Sequence, residues 1–410
     1  MAAPRTGASR LQLGALRYPR YRLYWAGQLV TNVGSWMQVV ASGWLLLQLT
    51  DSPASLGLNG GFLAVPLIVF SLLGGVIADR LDRYRLLVGT QLAQVAPDVA
   101  LAALVGTGAV QPAHIYVYSL VWGTIRGLSF PARQALIPRL VPEEALQSAT
   151  ALSTILWQGA GVVGPLVAGL ALQQWGMASP FYLNVASDAL YLATLLLLRL
   201  SAQPAQSAER SVWECLVEGA HYAWNQPRIH ALLVVVAGIS FFDRSYTQLM
   251  PVFARDVFGV GAGGLGLLLA MPAVGTIVAA LTLSAAGRLP HRGRWVLAAA
   301  ATLGLALVYF AASSHLWLAL ALLLVVGAAN TVAVALINTL LQQNVADEMR
   351  GRVMSFYMDA TQGGAYLGAL PVGVLAQAWG APLAVNLSAA ASLLLVVVFS
   401  LRSNALRRLN

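Results

Sequence analysis

Six ionisable side chains interrupt long apolar runs in this 410-residue chain: Asp98, Arg126, Asp188, Asp243, Arg244 and Asp359. Inside a membrane helix each costs roughly 2.5–3.5 kcal/mol on insertion scales, so a retained one is expected to do work. A carboxylate near guanidinium groups stays ionised, and it takes a proton once the arginine moves away or a ligand intervenes. Proton carriage and ligand pairing are therefore the chemistry on offer. Asp243 and Arg244 are adjacent, which sets them about 100° apart on a helix, so they are not expected to pair only with each other. Nothing in the chain resembles a phosphate-cradling glycine loop, a hydrolase elbow or a metal-spaced His/Cys set, and the five histidines are scattered. No enzyme activity, metal or cofactor is expected.

The elements that position these residues must sit in lipid. Hydrophobic residues make up 58% of the chain and charged residues 10%, against about 25% charged in a soluble domain. A formal charge of +9 raises nucleic acid as a partner. The arginines, however, lie in short gaps between apolar runs rather than on a polar domain, which excludes it. All 24 basic residues are arginine, and the single cysteine, Cys215, excludes an internal disulfide.

Against the ~20 residues needed to cross a bilayer, twelve spans are predicted. They lie near 23–49, 55–78, 86–106, 113–137, 146–171, 179–200, 229–255, 263–286, 295–312, 316–341, 353–377 and 381–401. The first run is too long for a signal-peptide core and reads as a span. With the N-terminus inside, 21 arginines fall in inner tails and loops, Arg255 alone in an outer loop, and Arg126 and Arg244 within spans. Positive charge stays inside, so both termini are expected in the cytoplasm.

The polar stretch from about Ser201 to Arg228 divides the chain into units 1–200 and 229–410, with 201–228 as a cytoplasmic linker. Its first residues read as flexible. After them, Trp213, Leu216, Val217, Ala220 and Trp224 share one helical face, and Glu214, Glu218, His221 and Asn225 the other. That pattern fits a helix on the inner membrane surface and equally one packed on the ends of the bundles.

The units repeat. Gly169, Gln173, Trp175 and Gly176 recur 204 residues later as Gly373, Gln377, Trp379 and Gly380, and Pro19-Arg20 recurs 208 residues later as Pro227-Arg228. A two-fold repeat of apolar segments predicts two pseudo-symmetric six-helix bundles able to rock about a site between them, hence a transporter.

Three motifs sharpen this. Gly75-Val-Ile-Ala-Asp79-Arg80-Leu-Asp82-Arg83 closes the second span and resembles the loop signature of the major facilitator superfamily, although Asp82 stands where the family has glycine. Gly161, Gly164, Pro165 and Gly169 in the fifth span look like that family's antiporter signature, with one glycine of its final pair missing. The run Val345-Ala-Asp-Glu348-Met-Arg350-Gly-Arg352 and the opening Arg20-Tyr-Arg22 through Leu49-Thr-Asp51-Ser-Pro53 resemble the branch that includes enterobactin and macrolide exporters. The resemblance covers nearly the whole chain.

It implies an all-α membrane protein of twelve helices, with spans one, four, seven and ten around the cavity. Gly75, Asp79, Arg80 and Arg83 would form a gate, Asp79 meeting the start of the eleventh span. Arg126, Arg244, Asn32, Trp36, Tyr246 and Asn330 become cavity candidates. Asp243 leads the candidates for proton coupling, followed by Asp359 and Asp98. Asp98 and Asp188 fall on usually peripheral spans, where a satisfied structural carboxyl is the better expectation. The expected function is proton-coupled export of a small amphipathic molecule by a monomer in a bacterial-type inner membrane, with the lipid bilayer, protons and a small-molecule substrate as partners. Alternatives are an importer or lipid-linked flippase on the same fold, or a non-transporting membrane sensor.

Overall fold

The structure, a computed structural model, describes residues 13–80, 82–200, 212–287 and 290–402, with the side chains of 13, 72–80, 131, 212–213, 215–216 and 401–402 left out. Among the described residues there is no strand. Twelve helices of 20 residues or more run back and forth. They are α1 (Pro19–Thr50), α2 (Pro53–Arg80), α3 (Arg83–Gly106), α4 (Pro112–Leu136), α5 (Leu146–Trp175), α6 (Ser179–Leu198), α8 (Pro227–Val257), α9 (Gly261–Ala286), α10 (Arg292–Ala312), α11 (Leu316–Asn344), α12 (Asp347–Trp379) and α13 (Ala381–Arg402). The shorter α7 (Val212–Asn225) joins the halves.

Among the described residues, nine helices are long and apolar enough to cross a membrane; α1, α4 and α12 fall short by composition. The shortfall has a cause. Tyr24, Gln28, Thr31, Asn32 and Ser35 form one stripe of α1, Arg126, Arg133 and Gln134 interrupt α4, and α12 opens on Asp347, Glu348, Arg350 and Arg352. The stripe of α1 and Arg126 of α4 turn inward, so there the loss of apolar character marks the interior wall rather than a failure to enter lipid, whereas the charges that open α12 lie at an exposed helix end.

The packing of the first half recurs in the second. α1 lies on α5 and α6, α2 on α4, and α3 on α4 and α6; correspondingly α8 lies on α12 and α13, α9 on α11, and α10 on α11 and α13. Between the halves, α2 packs along α12 and α9 along α5. These two seams are one contact seen from either side of a two-fold axis, since α9 repeats α2 and α12 repeats α5. Small residues let the seams close. A Cβ on Gly373 would stand 2.8 Å from Gly57 Cα, and one on Gly169 2.8 Å from the Ala262 carbonyl oxygen. Packing of this kind stabilises membrane helices without a hydrophobic drive between them.

Two elements stand apart from this pattern. α8 contains π turns at Ile239–Asp243 and Phe253–Val257 with a 3-10 stretch, Arg244–Leu249, between them. Carbonyls freed there find hydroxyls: Ser388 Oγ donates to the Phe242 oxygen at 2.7 Å, as does Ser245 Oγ at 2.8 Å, and Thr247 Oγ1 donates to the Arg244 oxygen at 2.9 Å. Irregular backbone at membrane depth is tolerated on those terms. The second element is α7. Gly219, Tyr222 and Ala223 face the start of α12, where Glu218 pairs with Arg352 at 2.7 Å and the Ala346 N–H donates to Tyr222 Oη at 3.3 Å. Val217, Ala220 and Trp224 remain exposed. The helix therefore packs on one half through a narrow stripe, with these three residues of its apolar face uncovered and Trp213 and Leu216 outside the described side chains.

Candidate functional site

A cavity of about 300 Å³ opens among α1, α3, α4, α5 and α6, with α12 of the other half contributing Met358 and Gln362. It runs from Trp122, Arg126 and Trp157 in mid-span to Ile137 and Thr150 beside the α4–α5 connection, on the face where the arginine-rich loops lie. Thr150 and Thr154 on its rim are exposed.

Arg126 is its central charge. The guanidinium carbon sits 4.8 Å from the Trp122 ring centroid and 5.0 Å from that of Trp157. A cation clamped between two indoles holds its position without a carboxylate partner, at about 0.5–2 kcal/mol per ring. Asn32 also lines the cavity, its Nδ2 turned back to the Gln28 carbonyl at 2.7 Å. Around them stand amides: Gln28, Gln91, Gln94, Gln134 and Gln362. Gln28 donates to Tyr24 Oη at 3.1 Å and to Tyr191 Oη at 3.0 Å, and Arg133 lies 5.5 Å above the Tyr191 ring.

Three expectations of placement need correction. Asp243 does not face the space between the halves. It is fully buried inside the second half, where Ser392 Oγ of α13 donates to its Oδ2 at 2.5 Å. Asp243 ends the first π turn, and the extra residue of such a turn rotates the later side chains by about 100° relative to an ideal helix. Tyr246, 4% exposed, packs edge-on against Phe310 in the same core and not in the cavity. Trp36 lies between α1 and α5, against Gly161 and Gly164, filling the groove those glycines leave. Arg244 reaches out of α8 instead, and its Nη1 donates to the Thr361 carbonyl of α12 at 2.7 Å. Asn330 on α11 keeps its side-chain oxygen buried without a partner.

Asp359 bridges the halves: Ser71 Oγ of α2 donates to its Oδ1 at 2.5 Å. Asp98 and Asp188 are both buried, 2% and 4% exposed, and each accepts several hydrogen bonds. The antiporter-like glycines have two contacts. Gly164 receives α1, and Gly169 receives α9 of the other half at Gly263 and Gly266. Of the gate motif, Gly75, Asp79 and Arg80 lie outside the residues whose side chains are described. Asp82, the departure from the family pattern, caps α3 by accepting from the Arg85 N–H at 2.8 Å and pairs with Arg139 at 3.6 Å. The glutamines of the cavity wall escape a reading weighted to ionisable groups. Their signal is present in the sequence, since Gln91, Gln94 and Asp98 share one face of α3.

At the opposite end the halves are tied. Arg255 of α8 donates to Asp51 at 2.5 Å and to the Leu47 carbonyl at 3.5 Å, and Ser52 Oγ donates to Gln377 Oε1 at 2.7 Å.

Two similar bundles around a polar, membrane-depth cavity define an integral membrane transporter of the major facilitator type, with lipid and a small molecule as its surroundings and cargo. The chain belongs to the transmembrane secretion effector family of that superfamily, whose sequence profile matches residues 11–409. It is 27% identical over 416 residues to the enterobactin exporter EntS of Escherichia coli, covering 96% of this chain and 95% of that one. It is 25% identical to the multidrug efflux pump Tap of Mycolicibacterium fortuitum over 86% of this chain and 88% of the relative. With the staphyloferrin A transporter of Staphylococcus aureus it shares 23% over 92% and 95%. Among solved structures, the nucleoside transporter NupG superposes with a TM-score of 0.77 at 12% identity, over 95% of this chain and 100% of that one. A bacterial homologue of ferroportin in its inward-facing state gives 0.71 at 18%, over 94% and 99%.

Proposed function

We propose that the protein exports small amphipathic molecules, of drug or siderophore type, by proton-coupled alternating access. In this reading it acts as a monomer in a bacterial-type inner membrane, all twelve long helices span, and both termini are cytoplasmic. The carrying observation is the asymmetry of the cavity. It opens at the arginine-rich face, while Arg255–Asp51 and Ser52–Gln377 tie the halves at the other. By the positive-inside rule the open face is cytoplasmic, and in this reading it is the loading state of an exporter. Two relatives bear exporter or efflux names.

The cavity favours a flat, hydrogen-bonding ligand. Trp122 and Trp157 offer stacking faces, the glutamines offer donors and acceptors, and Arg126 suits an electron-rich or acidic group. In this reading Asp359, on the α2–α12 seam, senses the relative position of the halves, and Asp79 holds the cytoplasmic gate. One proton crossing 100 mV supplies about 2.3 kcal/mol, equivalent to roughly a fifty-fold gradient, so one proton per cycle is enough.

The test is a screen of aromatic drugs for thermal stabilisation, then counterflow and pH-driven accumulation of the hits in proteoliposomes. Counterflow with accumulation in the direction opposite to proton movement supports export. Accumulation with the proton flow would make the protein an importer. Binding without counterflow would leave a sensor.

A further inference from the structure

A polar network on α1, α3, α4 and α6 serves neither the aromatic clamp around Arg126 nor the seams between the halves. At its centre, Asp98 Oδ1 accepts from Gln94 Nε2 at 2.8 Å and from the Tyr118 hydroxyl at 2.7 Å. Its other oxygen, Oδ2, is buried with no hydrogen-bond partner, in a residue 2% exposed. Asp188 of α6 stands beside it. There the Thr31 hydroxyl donates to Oδ1 at 2.5 Å and Gln91 Nε2 donates to the same oxygen at 3.0 Å. Asp188 borders the cavity; Asp98 is outside its lining, on the side toward Tyr118. The other titratable and charged groups nearby are Tyr24 of α1 and Tyr191 of α6, with Arg133 of α4 over the Tyr191 ring.

Two neighbouring carboxylates buried within a membrane bundle repel each other, and a single proton shared between them relieves that repulsion. The fixed donors on this pair converge on one oxygen of each residue. A carboxyl O–H is the donor that Asp98 Oδ2 lacks.

We propose that Asp98 and Asp188 together hold one exchangeable proton and form the proton-carrying site of this transporter. The proposal rests on the proton-coupled reading above. Loading adds one proton to two carboxylates and leaves the pair with a single negative charge; release restores both charges. The proton enters from the cavity at Asp188 and is shared with Asp98 behind it. Loading at Asp188 removes charge from the carboxylate that Thr31 and Gln91 donate to, and so weakens both hydrogen bonds. Both of those side chains line the cavity, so loading frees groups that the substrate also meets. That shared use of Thr31 and Gln91 couples the two ligands without their touching.

Infrared difference spectroscopy on the purified protein in lipid nanodiscs tests the pair without any substrate. Wild type should show a deuterium-sensitive C=O band of a protonated carboxyl. Asp98→Asn and Asp188→Asn should each remove that same band, because the new amide supplies the missing donor. The double variant should remove no more than either single one. Two different bands with additive losses, or no band lost, would overturn the shared proton. So would a band abolished when sodium chloride replaces potassium chloride at fixed pH, which would assign the pair to sodium. Coupling is read with ethidium as the transported probe in proteoliposomes. Wild type should accumulate it under a pH gradient, and either Asn variant should fall to the level of empty vesicles while counterflow persists. Variants that still accumulate overturn the assignment of the carrier. Wild type that fails to accumulate overturns the export reading instead, and the infrared result still decides whether the pair holds its proton.

Discussion

Arg255 at the end of α8 and Asp51 at the end of α1 meet at 2.5 Å, and the same guanidinium reaches the Leu47 carbonyl. It is the one arginine expected in the loops of that face. Both side chains are partly open to solvent, at 30% and 81%, so the pair contributes about 0–1 kcal/mol. Arg255→Gln should therefore raise the population open at this face by up to about fivefold. Spin labels at Leu49 and Phe258, in a Cys215→Ser background, report it as a longer distance component. High salt should act in the same direction on the unmodified protein. An unchanged distance distribution in both would remove the pair from the gate.

Gly169 and Gly159 lie on the same helix, but only Gly169 meets the other half. A side chain at Gly169 runs into the Ala262 oxygen and Gly266, whereas one at Gly159 meets nothing within 4 Å. Gly169→Val should lower the thermal midpoint through overpacking of about 1–3 kcal/mol and abolish transport. Gly159→Ala should leave both nearly untouched. Equal effects of the two would mean that the α5–α9 seam is not what these glycines serve.

Arg126→Lys retains charge but loses the planar group stacked between Trp122 and Trp157. Such a change is not conservative at a stacked site. Transport of a substrate found by screening should fall about tenfold, the equivalent of 1.4 kcal/mol, with little change in the melting temperature. Retention of wild-type transport by the lysine variant would show that the cation alone, and not its shape, matters.

Asp243, enclosed in the second half and held by Ser392, is expected to be structural. Asp243→Asn should cost about 1–3 kcal/mol of stability, typical of a disturbed buried hydrogen bond, yet preserve pH-driven accumulation in the protein that folds. Loss of accumulation at full stability would return Asp243 to the coupling mechanism.

Much of this architecture is legible in the sequence, because a lipid-facing helix must be continuously apolar and its ends must be marked by charge or glycine. The agreement of 113–137 with Pro112–Leu136, and of 179–200 with Ser179–Leu198, reflects that constraint. So does the placing of Arg126, whose cost in a span demands a polar cavity. The direction of Asp243 is not legible. Hydropathy is blind to a π turn, and one extra residue redirects every later side chain of α8. Nor does the pairing of Asp98 with Asp188 show in the chain, since the residues are 90 positions apart and lie on helices that read as peripheral. What can be seen is a stripe of amides on α3, and its meaning requires the neighbours that folding supplies.

The polar residues of α4 and α12 bear on how the molecule is made. A segment carrying Arg126, or the charged opening of α12, partitions poorly on its own from the translocation channel into bilayer. Its natural partners are already at hand: α2 precedes α4 in synthesis and packs along it, and α8 precedes α12. Biogenesis would then proceed by pairs, with an apolar helix waiting at the channel for the polar one synthesised after it. A lesion in α2 facing α4 would show itself first as α4 left outside the membrane, well before any defect in transport could be measured.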